Sequence, residues 1–250
     1  MKRVKRRIFS GPVCEQVVCS VPDFCSMKTA RPAKPRFKTQ EEREAHKLGI
    51  SRRKHVRIVN ANFSSKSLYS TLTLDDENEV HTFQEARRLR DNFVRRLQYH
   101  YPNARIMIYM GRGKRTHRIH FHMLTDGIPA EAIEKLWGMG DVKRVEPMRE
   151  HNYYNGVDCG QDYTGLANYL FDHWTPEQGG HRWKGSRKTL VKPEYEEATE
   201  ARRVYTTDKP PRAPKGYMLV DTKETTYGYL YFKYVLKPQP VKRSRKKKKE

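Results

Sequence analysis

Arg118-Ile119-His120-Phe121-His122-Met123-Leu124 alternates apolar and polar residues with the period of a β-strand. Successive strand side chains point to opposite faces, so Ile119, Phe121 and Met123 share one face and His120 and His122 the other. The apolar set can enter a core while the two imidazoles stand side by side. Two neutral imidazoles so placed can hold one divalent metal ion.

The flanking segments give a regular order of elements. Leu68-Tyr69-Ser70-Thr71-Leu72-Thr73-Leu74 alternates and reads as a strand. Thr82, with Glu85 three residues on, forms a capping box, and Ala86, Leu89, Phe93, Val94 and Leu97 mark a helical stripe to about Tyr99. Residues 104–110 read as a strand, followed by the basic turn Gly111-Arg112-Gly113-Lys114-Arg115 and the histidine strand. Pro129 suits the first position of a helix whose stripe is Ala132, Ile133, Leu136 and Trp137, and residues 141–146 form a last strand. The order β-α-β-β-α-β predicts an α+β fold, a ferredoxin-like or RRM-like antiparallel sheet. Both helices then cover one face and the histidine pair occupies the other, open one. Beyond this set, residues 162–174 are helical in pattern and residues 180–188 form a basic loop. Pro210-Pro211-Arg212-Ala213-Pro214 is a linker-like turn, and residues 216–235 read as two more strands.

The chain has 250 residues, 51 Lys+Arg against 29 Asp+Glu and a formal net charge of +22, which favours polyanions, nucleic acid first and anionic membrane second. No apolar run reaches the length of a membrane-crossing helix and no apolar stretch follows the basic N-terminus, so a soluble protein of the cytoplasm is expected. An apolar share of 36% is low but sufficient for a core. Composition divides the chain into a basic extension over 1–65, a core domain over 66–190, a β-rich extension over 191–236 and a basic tail over 237–250. Gln40 to Leu48 reads as a short charged helix in the first segment. The tail, a run of Lys and Arg from Lys242 to Lys249 interrupted by Ser244, reads as solvated and disordered. Cys14, Cys19 and Cys25 read as reduced thiols, with a zinc site built from the three as the alternative.

Three features in a fixed order carry a family resemblance: Thr71-Leu72-Thr73 on a strand, the His-hydrophobic-His triplet 120–122, and Tyr169 in a later helix. Over residues 66–190 the chain resembles HUH-type rolling-circle replication initiators, close to the Rep group of filamentous-phage and small-plasmid initiators. The resemblance implies an HUH endonuclease in a prokaryotic host. It nicks and joins single-stranded or hairpin origin DNA and works with the host helicase and polymerase. No Walker A pattern is present, so unwinding falls to another protein. Mg²⁺ or Mn²⁺ on His120 and His122 withdraws charge from the scissile phosphate while a tyrosine attacks to give a 5′-phosphotyrosine.

Helix geometry places Tyr163 with Ala167, Leu170 and Trp174 on an apolar face and Tyr169 on the flank with Asp162 and His173, which favours Tyr169 as nucleophile over Tyr163. Two positions depart from the family pattern. Asp172 stands where the nucleophile helix often carries Lys, and Met110 stands near the place of an acidic third ligand. Asp75, Asp76 or His117 is then left as the third ligand. Arg112, Lys114, Arg115 and Arg118 beside the histidines, and Arg182, Trp183, Lys184, Arg187 and Lys188 in the later loop, are candidates to grip a single strand by charge and stacking. The competing readings are a relaxase, which often shows a third clustered histidine, a single-tyrosine transposase, which usually lacks long basic ends, and a non-catalytic RRM-like module for single-stranded DNA or RNA, which needs exposed aromatics at the centre of the sheet.

Overall fold

Strand β5 (Ile119–Asp126) sits in the middle of a five-stranded antiparallel sheet, as its dense apolar content requires. The computed structural model describes residues 2–21, 39–175, 178–186, 188–225 and 228–238. In chain order these form β1 (Lys2–Ser10), β2 (Val13–Val21), α1 (Gln40–Asn62), β3 (Leu68–Thr73), α2 (Phe83–His100), β4 (Arg105–Arg112), β5, α3 (Ala130–Trp137), β6 (Val142–Pro147), β7 (Tyr153–Tyr154), β8 (Val157–Asp158), α4 (Thr164–Asp172), β9 (Trp183–Gly185), β10 (Glu194–Tyr195), β11 (Thr199–Glu200), β12 (Tyr217–Glu224) and β13 (Leu230–Leu236). The chain is α+β, and every strand pairing among the described residues is antiparallel.

The central sheet runs β6-β3-β5-β4-β9. Helices α2 and α3 pack on one side of it. Phe83, Phe93, Val94 and Leu97 of α2 and Ile133 and Trp137 of α3 meet Leu72, Ile108, Ile119, Phe121 and Met123 in one buried cluster. The Thr82–Glu85 capping box is present at the start of α2, so the local signal and the tertiary position agree. Trp137 satisfies its indole N–H by donating to the Thr73 carbonyl at 2.9 Å, with its ring edge-on to Phe93 and Phe121. A buried aromatic of this kind typically costs about 3–5 kcal/mol on truncation to Ala.

The second side of the sheet is not open. Val59 and Phe63 at the end of α1, together with Ala167 and Leu170 of α4 and Tyr163 before it, bury Met107, Tyr109 and Leu124. Helix α1 is much longer than the expected Gln40–Leu48 segment. Its second half is wedged among other elements and buries His55, Asn60 and Asn62, polar residues that erase the apolar stripe by which a helix is read.

The residues read as a basic extension enter a second sheet. Lys2–Val21 is a β-hairpin, and its second strand pairs with β13, giving the order β10-β1-β2-β13-β12 with β11 also on β1. Val4 and Ile8 of β1 are buried while its five cationic residues, on both faces, are half-buried, which hides the strand period under a high charge. At the hairpin turn, Gly11 has φ +56°, and a Cβ there would lie 2.2 Å from the Asn60 carbonyl oxygen of α1. An Arg57–Glu15 ion pair also joins α1 to β2. Residues 239–250, which hold most of the basic tail, lie outside the described residues, as do Cys25 and Arg187.

His55 provides a stability test. Its ring is buried among Tyr109, Phe171 and Trp183, and burial lowers its pKa from 6.5 to about 4. The unfolded chain therefore takes up this proton first as the pH falls below 6.5. The resulting contribution to stability is present above 6.5 and is lost on the way down to about 4. Chemical unfolding at pH 7 and near pH 4 should show a loss on the order of 3 kcal/mol from this group. His55→Phe should flatten the pH dependence by that amount, whatever it does to stability at pH 7. An unchanged slope would assign the acid sensitivity elsewhere.

Candidate metal centre

The strand register fixes the floor of the site. His122 lies between Thr71 of β3 and Tyr109 of β4, and His120 lies between Thr73 and Gly111. A third imidazole comes from the last residue of α4's final turn, the C-cap His173. One ligand nitrogen from each of His120, His122 and His173 lies within 4.8 Å of the others, a grouping found for no other residues among those described. The His122 and His173 Nε2 atoms are 3.2 Å apart.

The hydrogen bonds around the ring nitrogens decide what the cluster can do. His173 Nδ1–H donates to the Tyr169 carbonyl at 2.9 Å, since a carbonyl can only accept. This bond finishes α4 and fixes the tautomer, leaving the His173 Nε2 lone pair directed at His122. His122 Nδ1 is 2.8 Å from the Tyr69 hydroxyl and 3.3 Å from that of Thr71, and the Tyr69 ring stacks on it at 5.7 Å. In the tautomer whose Nδ1–H donates to Tyr69, His122 presents an Nε2 lone pair; in the other, the Tyr69 hydroxyl donates to Nδ1 and Nε2–H donates to His173 Nε2. Burial raises the Tyr69 phenol above its ordinary pKa and keeps it a neutral partner.

Burial also keeps the strand histidines neutral. It lowers the His122 pKa to about 3, with His173 and His120 adding repulsion, and lowers that of His120, with His173 adding repulsion. At 3.2 Å one Nε2–H can donate to the other Nε2, and once that proton leaves the two nitrogens can share a cation. An all-imidazole donor set suits Zn²⁺ and later first-row ions best, and between Mn²⁺ and Mg²⁺ it is Mg²⁺ that gives up its oxygen shell least readily. Of the two ions expected, Mn²⁺ thus fits these residues better.

Gly111 makes room for the cluster. A Cβ there would lie 2.8 Å from His120 Nε2 and 2.9 Å from His173 Cδ2. Helix α4 is held by its N-terminal side. The Tyr163 N–H donates to Asn60 Oδ1 of α1 at 2.8 Å, and Asp162 accepts from the Thr164 N–H at 3.0 Å and from Lys233 of β13 at 2.6 Å. At the other end Asp172 is paired with both terminal nitrogens of Arg52 on α1, at 2.8 and 2.5 Å. A cation from α1 therefore stands beside the position where the family pattern led one to look for Lys.

The two candidate tyrosines have different surroundings. Tyr169 is 50% exposed, and its ring centroid is 4.2 Å from that of His173 and 5.7 Å from that of His122. Tyr163 is buried, donates its hydroxyl to the Arg149 carbonyl at 3.0 Å, and has a phenol pushed far up by burial.

Other expected site residues stand elsewhere. Asp75 accepts from Asn78, Asp76 pairs with Arg118, and His117 sits at φ 55° in the turn before β5, so none joins the three histidines. Arg112 donates to the His81 carbonyl and lies over Phe83. Lys114 and Arg115 are exposed in the turn. Arg182 is held between the rings of Phe171 and Trp174, Trp183 packs against the α1–α4 core, Lys184 is 3.6 Å from Asp91, and Lys188 is exposed. Cys14 and Cys19 lie in separate buried clusters, and burial raises both thiols, so these two do not meet at a zinc site. His173 was legible only as a neighbour of Tyr169. Their i, i+4 spacing on one helix was the available signal.

No protein-family model, curated protein or solved structure matches this chain. No helix among the described residues is long and apolar enough to cross a membrane.

Substituting Gly111→Ala should weaken Mn²⁺ binding to the full chain by roughly 10–100-fold, the range seen when supporting residues of a metal site are lost. His173→Ala should lose binding at least as severely. Isothermal titration at pH 7.5 reads both, and equal Mn²⁺ affinity in wild type and His173→Ala would remove His173 from the site.

Proposed function

We propose that this chain is a metal-dependent nuclease that nicks and rejoins single-stranded DNA through a tyrosine, the reaction of an HUH-type initiator of rolling-circle replication. The observation that carries the reading is the placement of Tyr169 one helical turn before His173, its ring 4.2 Å from that imidazole and beside the three-histidine cluster. The order β6-β3-β5-β4, reached through β-α-β-β-α-β connections, supports a ferredoxin-like core. The contact of His122 with Tyr69, Tyr169 and His173, away from the α2–α3 core, supports a histidine pair on the second face.

In this reading His120, His122 and His173 hold Mn²⁺, which when bound withdraws charge from the scissile phosphate. The Tyr169 oxygen forms a bond to phosphorus and gives up its proton. The bond from phosphorus to the 3′ oxygen breaks, leaving a 5′-phosphotyrosine and a free 3′-hydroxyl. The phosphodiester energy stays in the protein–DNA link, so a returning 3′-hydroxyl rejoins the strand without a nucleotide cofactor. The free 3′-hydroxyl primes a polymerase, and a host helicase unwinds ahead of it.

A relaxase uses the same chemistry, and the third clustered histidine is the observation that favours it. The non-catalytic module fares worse. Its sheet face would carry open aromatics, whereas Met107, Tyr109 and Leu124 lie under α1 and α4.

Labelled single-stranded and hairpin DNA of the genetic element that encodes the chain should give a covalent protein–DNA adduct with Mn²⁺ and none with chelator. Tyr169→Phe and His120→Ala/His122→Ala should abolish it, and Tyr163→Phe should retain it. An adduct that survives Tyr169→Phe and disappears in Tyr163→Phe would reassign the nucleophile. No adduct with any metal would point to a binding module.

A further inference from the structure

A cleft of about 1080 Å³ starts at Tyr69 and Tyr169, beside the three histidines, and extends to β12 and β13 of the second sheet. Its walls carry seven basic side chains against four acidic ones. Three of those acids are already neutralised within the fold: Glu15 by Arg57, Glu146 by Arg144 and Asp162 by Lys233. Only Asp221 remains, while Arg53, Arg149 and Lys223 have no carboxylate partner among the described residues. The cleft therefore presents surplus positive charge along its length, with a phenol and a candidate metal centre at one end.

A small hairpin lines part of the same cleft. Strands β7 and β8 are joined by Asn155 and Gly156 at φ 48° and 77°, the two left-handed residues of a tight primed turn. Its base is fixed on both sides. His151 Nδ1 meets Asp158 Oδ2 at 2.7 Å, Asp158 Oδ1 accepts from the Gly160 N–H at 2.8 Å, and Asn152 Nδ2 donates to the Gly160 carbonyl at 2.8 Å. The hairpin presents Tyr153 at 70% and Tyr154 at 43% exposure, and neither ring enters any buried cluster of the fold. Neither ring is part of the core that holds the fold together. A rigid support that holds aromatic faces in solvent beside a cationic track matches the way unpaired bases are bound: phosphates on the cations, bases stacked on the rings. A duplex already stacks its bases on one another and offers those rings no partner.

We propose that this cleft seats the single-stranded DNA that flanks the reacting phosphate, with Tyr153 and Tyr154 as the stacking surface and Arg149 and Lys223 as phosphate contacts. The identity of the strand rests on the nuclease reading. The second sheet then has a role in recognition, because β12 and β13 form the far wall of the track.

Fluorescence anisotropy of the full chain with a labelled oligothymidylate about ten nucleotides long, in chelator, tests the seat without any chemistry. Tyr153→Ala/Tyr154→Ala should weaken binding about tenfold, equivalent to about 1.4 kcal/mol of lost stacking, with the salt dependence unchanged. Tyr153→Phe/Tyr154→Phe should bind as wild type, because the faces remain. Arg149→Ala/Lys223→Ala should weaken binding and reduce the slope of log K against log salt by about 1.4, at about 0.7 per phosphate contact. Arg88→Ala/Arg95→Ala, on the exposed side of α2, should change neither. Wild-type affinity in the alanine pair, or a loss in the Arg88/Arg95 variant equal to that in the cleft, would overturn the proposal. The adduct assay separates the two readings. Weak binding by the cleft variants with no wild-type adduct leaves the seat standing and removes the nuclease. A wild-type adduct with binding indifferent to Tyr153 and Tyr154 does the reverse.

Discussion

The docking of α4 against α1 is the constraint on which the site depends. Strand β5 fixes His120 and His122 through its ladder with β3 and β4, and no further device is needed there. Helix α4 has nine residues, too few to be stable alone, yet it supplies both His173 and Tyr169. It is held at one end by the Asn60 amide and the Asp162–Lys233 pair, along its length by Ala167 and Leu170 in the core, and at the other end by Arg52 on Asp172. Two of these restraints are side chains of α1 and one reaches β13. The long helix and the second sheet thus determine the position of a helix that the central sheet alone would leave loose.

The electrostatics of the histidines follow from the same packing. Removing His122 and His120 from water makes their charged forms costly, and proximity to His173 adds to that cost. Charging the rings is therefore a poor way to satisfy the nitrogens that converge between His122 and His173. A metal ion meets the same need without asking three neighbouring rings to carry like charge. The supporting contacts agree with this account. The Tyr169 carbonyl and the Tyr69 hydroxyl occupy the outward ring nitrogens, and the glycine at 111 leaves the inward space free.

Much of this was readable in the chain, and the unread part has a physical pattern. The two-residue alternation of 118–124, the Thr82–Glu85 box and the stripes of α2 and α3 are local signals that tertiary structure did not override. Helix α1 was shortened because Asn60, Asn62 and His55 serve as partners to backbone and ring groups elsewhere, which a periodicity count scores as polar noise. The β1–β2 hairpin is obscured in the sequence because five of the nine residues of β1 are cationic and fall on both of its faces. The third histidine was missed because strand parity relates residues within one element, whereas His173 reaches the pair from 51 positions after His122 along a different element. Contacts of that kind depend on how far a helix is rotated and tilted on a sheet, and spacing does not encode that.

The contrast between Tyr169 and Tyr163 shows how a fold can separate a structural phenol from an accessible one on nearly the same segment. Tyr163 donates its hydroxyl hydrogen bond to a backbone carbonyl and packs its ring in the core, and burial makes its ionised form costly. It can seat α4 and can do little else. Tyr169 lies six residues on, on the flank that the core does not claim, and opens on the charged cleft. Its half-exposed ring is free to approach a phosphate while its carbonyl stays bound to His173. One residue thereby links the proposed nucleophile and the candidate metal ligand through the backbone. A displacement of α4 would move both together, so in the proposed reaction the distance between the Tyr169 oxygen and a phosphate at the histidines would be less sensitive to that motion than if the two groups came from different elements.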